Sequence, residues 1–170
     1  HGVIQAYSEG AGKGSRFTVE LPLTEACEQH AYNDPDNEQG QLAGIRILLI
    51  DDSQEVLEAL QLLLELEDAH VLAFDHPSKA LSVAHTQRFD VIISDIGLPH
   101  MDGHELLAAL RKLPEYAAVP AIALTGYGAA EGAQYQGEGR FDASLGKPVA
   151  LEDLTSLICG LVTTHGEKRS

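Results

Sequence analysis

Five polar side chains stand directly behind or at the end of short apolar runs in this chain. Asp51 and Asp52 follow IRILLI (45–50), Asp95 follows VIIS, Thr125 closes VPAIALT, and Lys147 follows FDASLG. If those runs are neighbouring strands, the five residues meet at one rim although they are far apart in sequence. Three carboxylates brought together there repel and call for a compensating cation. Mg²⁺ suits such a set, because it takes oxygen ligands, needs few protein carboxylates and keeps several waters. Lys147 adds a positive charge on a long stem, and Thr125 adds a hydroxyl donor. Together these groups form a site for a phosphoryl group. An aspartate carboxylate among them can act as nucleophile and form an acyl phosphate, with the metal and Lys147 screening charge on the transferring oxygens. Taken singly, each piece has a plainer reading. An Asp behind a strand is as often the cap of the next helix, LPHMDG is a turn, and Lys-Pro alone carries nothing.

The elements that must position these residues alternate regularly over 44–165. IRILLI reads as a buried strand. SQEVLEALQLLLELED follows as a helix, with Ser53 as N-cap, Glu55 in the first turn, and Val56, Leu60, Leu63 and Leu64 on one face. Then come HVLAFD (strand), PSKALSVAHTQ (helix, Pro77 in its first turn), DVIIS (strand) and GHELLAALRKL (helix, Leu106, Leu110 and Leu113 inward). VPAIALT (strand), a glycine-rich stretch, FDASLG (strand) and ALEDLTSLICGLV (helix, Leu151, Leu154, Ile158 and Leu161 inward) complete the run. Five strands and about five helices in this order predict an α/β fold with a doubly wound parallel sheet, covered on both faces and joined by right-handed crossovers. Ligands in such sheets bind at the carboxyl ends of the strands.

Residues 25–43 hold five acids, no Lys or Arg, and several turn formers, and read as a linker. Residues 1–24 read as two short strands around a glycine turn, with Phe17, Val19 and Leu21 on one face, and 166–170 as a tail. The formal net charge of −15 argues against direct nucleic-acid binding. Two cysteines without paired spacing give no disulfide framework and no zinc site, and fit a reducing, cytoplasmic setting. No apolar run is long enough to span a bilayer, so direct membrane contact is not expected. The chain opens at His1 without a methionine, which suggests a piece cut from something longer.

LLIDDS, VIISDIGLPHMDG, AIALTG and LGKPV, in that order at the strand ends, resemble the receiver domain of two-component response regulators. The resemblance covers 44–163. It implies a flavodoxin-like sheet of order 2-1-3-4-5, with Asp95 as phosphoacceptor. It implies Mg²⁺ held by Asp52, Asp95 and the backbone carbonyl of Gly97, with Asp51 acting through a bound water. Lys147 would pair with the phosphoryl oxygens or, without phosphate, with Asp95. Thr125 would swing onto the phosphoryl oxygen, and the Lys147–Pro148 bond would be cis. One position departs from the family pattern: Ser144 stands where many members carry a mobile aromatic ring, so output is expected to travel mainly through Thr125 and the loop behind it. GYGAAEGAQYQGEG (126–139) carries five glycines, which predicts a short or mobile fourth helix.

SEGAGKGSRF invites a phosphate-loop reading, which fails. The required first glycine falls on Tyr7 and the required Ser/Thr falls on Gly14. HGVIQAYSEGAGKGSRFTVELPL instead resembles the end of the ATP-binding domain of sensor histidine kinases. That implies a remnant unable to hold ATP alone; ATP belongs to the intact parent, which would be a histidine kinase. Among the eight histidines, His100 and His104 are expected to be ordinary surface groups, and none sits on a phosphotransfer helix. Cys159 is expected in the core, and Cys27 as a bystander.

These readings converge on a receiver domain of a hybrid sensor histidine kinase. The resemblance implies a phosphohistidine donor, and a histidine phosphotransfer protein as acceptor or else a sink role; it allows a homodimer. The alternatives are a stand-alone response regulator, a receiver-shaped module that is not phosphorylated, and an aspartyl-nucleophile phosphatase. The last wants Asp-x-Asp after the first strand, which DDS does not supply.

Overall fold

The computed structural model describes residues 3–7, 16–20, 40–126 and 137–166. The chain divides into two compact units, His1–Asn37 and Glu38–Ser170. In the first, β1 (Val3–Tyr7) pairs antiparallel with β2 (Arg16–Glu20), with Gln5 opposite Thr18. Leu21, expected on one face with Phe17 and Val19, lies outside the described residues.

In the second unit the elements run β3 (Arg46–Ile50), α1 (Gln54–Leu66), β4 (His70–Phe74), α2 (Pro77–Ala84), β5 (Val91–Asp95), α3 (Gly103–Arg111), a 3₁₀ turn (Pro114–Tyr116), β6 (Ala121–Thr125), β7 (Ala143–Gly146) and α4 (Leu151–Gly166). All strand pairings are parallel, in the order β4-β3-β5-β6-β7. This is the 2-1-3-4-5 order within the unit. The glycine-rich 127–136, where a short fourth helix was expected, lies outside the described residues.

The sheet has a core on each face, which is why its strands read as unbroken apolar runs. Ile47 and Leu49 of β3 join Leu57, Leu60 and Leu64 of α1 and Leu154 and Ile158 of α4. Leu48 and Ile50, pointing the other way, join Ala80 and Ala84 of α2 and Leu106, Leu107 and Leu110 of α3. The buried stripe of α1 is therefore Leu57, Leu60 and Leu64, while Val56 and Leu63 are half-buried, a small rotation from the expected face. Leu113, Leu151 and Leu161 pack at the core margins.

Helix starts follow local chemistry. Ser53 caps α1 by accepting from the Val56 N–H, and Asp102 and Glu105 form a reciprocal capping box on α3. Pro77 opens α2, where its missing N–H is harmless.

The linker expected to reach residue 43 ends earlier. Leu42 is fully buried in the core, its N–H donates to the Glu67 carbonyl at 3.0 Å, and the Gly40 N–H donates to Asp68 at 2.7 Å. One leucine among polar neighbours gave no periodic signal. Among the described residues, no helix is long and apolar enough to cross a membrane.

Candidate functional site

The carboxyl ends of β3, β5, β6 and β7 bring the five expected residues to one rim. Asp51 follows β3 and is fully buried. Its N–H donates to the Phe74 carbonyl at 3.2 Å, which ties it to the end of β4. Its Oδ1 accepts from the Ser53 N–H at 3.0 Å, and its Oδ2 accepts from Lys147 Nζ at 2.6 Å. Asp95 closes β5 and is nearly buried, with Oδ2 3.4 Å from the same ammonium. Asp52 is exposed, and carboxylate oxygens of Asp51, Asp52 and Asp95 all lie within 4.8 Å of one another. An all-oxygen set of three carboxylates at that spacing fits a hard divalent cation such as Mg²⁺.

Lys147 was expected to pair with Asp95 in the absence of phosphate. It makes its shorter bond to Asp51, and Asp95 is its second partner. Asp51, expected to act through water, is therefore also the direct anchor of the lysine. Burial alone would depress the Lys147 ammonium. The hydrogen bond and charge of Asp51, then the charge and hydrogen bond of Asp95, outweigh it and hold the group above the usual lysine value. The Lys147–Pro148 bond is cis, as expected.

Thr125, at the end of β6, is buried. Its hydroxyl donates to the Leu145 carbonyl at 3.4 Å, and its own carbonyl accepts the Lys147 N–H at 2.7 Å. The ends of β6 and β7 are thus laced together beside the acidic pocket, and Ser144 on β7 is exposed. Gly97 sits next to Asp95: a β-carbon there would lie 3.6 Å from Asp95 Oδ2.

Two supporting residues escaped the sequence reading. Gly103 lets α3 start against the end of β5; a β-carbon there would stand 2.4 Å from the Asp95 carbonyl oxygen. The helix-start pattern Asp102-Gly103 was a signal for a turn, not for that close approach. His104, expected at the surface, is buried; its Nδ1 lies 2.8 Å from the Gly139 carbonyl and its ring meets Phe141 edge-on. The residue follows the capping turn, and only packing of α3 on 139–141 covers it. His100 is exposed, as expected, and stacks on His76 with ring centroids 5.9 Å apart. Cys159 packs against the core that includes α4, half-buried, and Cys27 lies outside the described residues.

The family model described as response regulator receiver domain matches residues 47–159. The chain belongs to that family. This receiver is 36% identical over 117 residues to an uncharacterized 14.6 kDa protein in the sodA1 3′ region of Leptolyngbya boryana, covering 69% of this chain and 89% of that one. It is 32% identical over 139 residues to the signal transduction histidine-protein kinase BarA of Escherichia coli, covering 80% of this chain but only 15% of BarA. Among solved structures it resembles the receiver domain of sensor histidine kinase PA1611 from Pseudomonas aeruginosa, with 25% identity and a TM-score of 0.65, covering 71% of this chain and 99% of that one. That structure holds a magnesium ion coordinated in its active site cleft. Receiver domains belong to two-component signal transduction.

Proposed function

We propose that this receiver takes a phosphoryl group from the phosphohistidine of a histidine kinase onto Asp95. It then passes the group to a histidine phosphotransfer protein or acts as a sink. The observation that carries this reading is the ammonium of Lys147 held 2.6 Å from Asp51 and 3.4 Å from Asp95 beside three converging carboxylates. In the transfer, an oxygen of Asp95 forms the new O–P bond as the P–N bond to the donor imidazole breaks. The imidazole keeps the electron pair and takes up a proton. Lys147 would move onto a phosphoryl oxygen, and the Thr125 hydroxyl would leave the Leu145 carbonyl and donate to another. Asp52, Asp95 and the Gly97 carbonyl would hold Mg²⁺, with Asp51 behind them through a water. When bound, the ion spreads the charge of the phosphoryl oxygens. The group adds a charge of about −1.5 to −2, which is the signal.

The wider setting is a hybrid sensor histidine kinase in the cytoplasm. The likeness of residues 1–23 to the close of a kinase ATP-binding domain supports it, as does the relation to BarA. ATP would be bound only by the complete parent. A stand-alone response regulator is the second reading, favoured by the 14.6 kDa relative, 89% of which this chain matches.

Incubation with Mg²⁺ and a small acyl phosphate, followed by intact mass, tests the acceptor. The expected result is a gain of one phosphoryl group that Asp95→Asn abolishes. No gain, or an equal gain in the variant, refutes it. Steady turnover of a phosphate ester would favour the phosphatase reading instead.

A further inference from the structure

A groove of about 330 Å³ runs between α1 and the edge strand β4, outside the acidic pocket. Its floor is apolar: Leu57 from α1, and Ala73 and the half-buried ring of Phe74 from β4. Its walls offer acceptors. The Gln54 amide nitrogen donates to Glu58 Oε1 at 3.0 Å and the Gln61 amide nitrogen to Glu65 at 2.8 Å, so neither amide oxygen is used in these bonds and both can accept. Among the described residues Glu58 Oε2 has no hydrogen-bond donor and Glu58 no basic partner. Among the described lining residues the one cation, Lys79, is paired with Asp75 at 2.6 Å. From Gln54 to Leu66 the helix carries three glutamates and no Lys or Arg.

An apolar floor, an aromatic face, a spare carboxylate and several oxygen acceptors suit a cation with an alkyl stem and many donors. Arginine fits better than lysine, because its planar guanidinium stacks on an aromatic face and offers five donors to separate oxygens. The groove also adjoins the phosphoacceptor rim. The Phe74 carbonyl accepts the Asp51 N–H at 3.2 Å, and Gln54 lies two residues beyond Asp52.

We infer that this groove receives an arginine side chain presented by the protein that delivers the phosphoryl group. The assignment to the donor rests on the phosphoacceptor reading; the chemistry of the groove does not. Docked there, the arginine would orient the donor beside Asp95 without touching the reacting atoms.

The test is an amide ¹H–¹⁵N titration of the full chain at low salt with N-acetylarginine methylamide. The norleucine and lysine analogues serve as probes of the stem and of the charge. Saturable shifts clustered on Gln54, Glu58, Ala73 and Phe74 are expected with the arginine probe, at least about fivefold weaker with lysine, absent with norleucine, and about fivefold weaker in Glu58→Gln. No saturable shift, an equal response to norleucine or lysine, or an unchanged response in Glu58→Gln overturns the inference. Acyl phosphate labelling of the same samples separates the two readings. Labelling of Asp95 without arginine binding sinks the groove and leaves the acceptor standing. Arginine binding without labelling removes the assignment to a phosphoryl donor.

Discussion

Replacing Lys147 with methionine keeps most of the unbranched stem, one atom shorter, and removes its charge, and the structure sets the consequence. Asp51 is fully buried and holds two donors, the Ser53 N–H and the Lys147 ammonium. Losing one partner of a buried ion pair costs about 3–5 kcal/mol, because the other charge stays desolvated. Here Lys147 is itself 26% exposed, so water can reach part of the vacated position, and the lower figure of about 2–3 kcal/mol is expected. That is roughly a 30- to 150-fold fall in the folded-to-unfolded ratio. With no tryptophan in the chain, urea unfolding is best followed by far-UV circular dichroism, in buffer stripped of divalent cations. The midpoint should fall by about 1–2 M. A double-mutant cycle with Asp51→Asn should show a coupling of about 2 kcal/mol. Mg²⁺ should then restore more stability to Lys147→Met than it adds to the parent, since a cation can pair with the carboxylates that the lysine left. A variant within about 0.5 kcal/mol of the parent, or strictly additive substitutions, would refute the reasoning that Lys147 compensates the buried charge of Asp51.

Other perturbations give equally definite outcomes. The folded-state value of Lys147 is raised above 10.5, so its stabilisation is complete below that pH and is lost as pH climbs through the folded-state value. Alkaline urea titrations should show that loss in the parent and not in Lys147→Met. Gly103→Ala would place a β-carbon 2.4 Å from the Asp95 carbonyl oxygen and 3.0 Å from the Ile96 α-carbon, so backbone must move. A loss of about 1–3 kcal/mol is expected, with slower acyl phosphate labelling of Asp95; unchanged stability and rate would count against the close approach. Leu42→Ala should cost about 2–5 kcal/mol in the same urea assay, whereas a residue of a solvated linker would cost almost nothing.

Most of the fold was legible because it is local or repetitive. Both faces of the sheet are buried, so β3, β5 and β6 read as continuous apolar runs. Ser53 and Pro77 marked helix starts through capping chemistry that needs only a few residues. What the reading misplaced depended on packing. Leu42 carries no periodicity of its own, and its burial comes from the turn after α1. His104 looked like a surface residue because the backbone that covers it, Gly139, is 35 positions away. The candidate site followed the same division, with its members evident from residue type at strand ends and their pairings not.

By itself the order of residues settled which elements form, in what succession, and that Asp51, Asp52, Asp95, Thr125 and Lys147 end strands or follow them, because period and capping act within a few residues. The tertiary structure alone decided that Lys147 bonds first to Asp51, 96 residues away, and only second to Asp95. It alone decided that α3 rests on the Asp95 carbonyl and that α1 and β4 leave a groove between them. Those outcomes depend on how strands and helices from distant parts of the chain are packed. Ion-pair choice and steric contact are set by that packing, while residue type and local spacing carry no record of it.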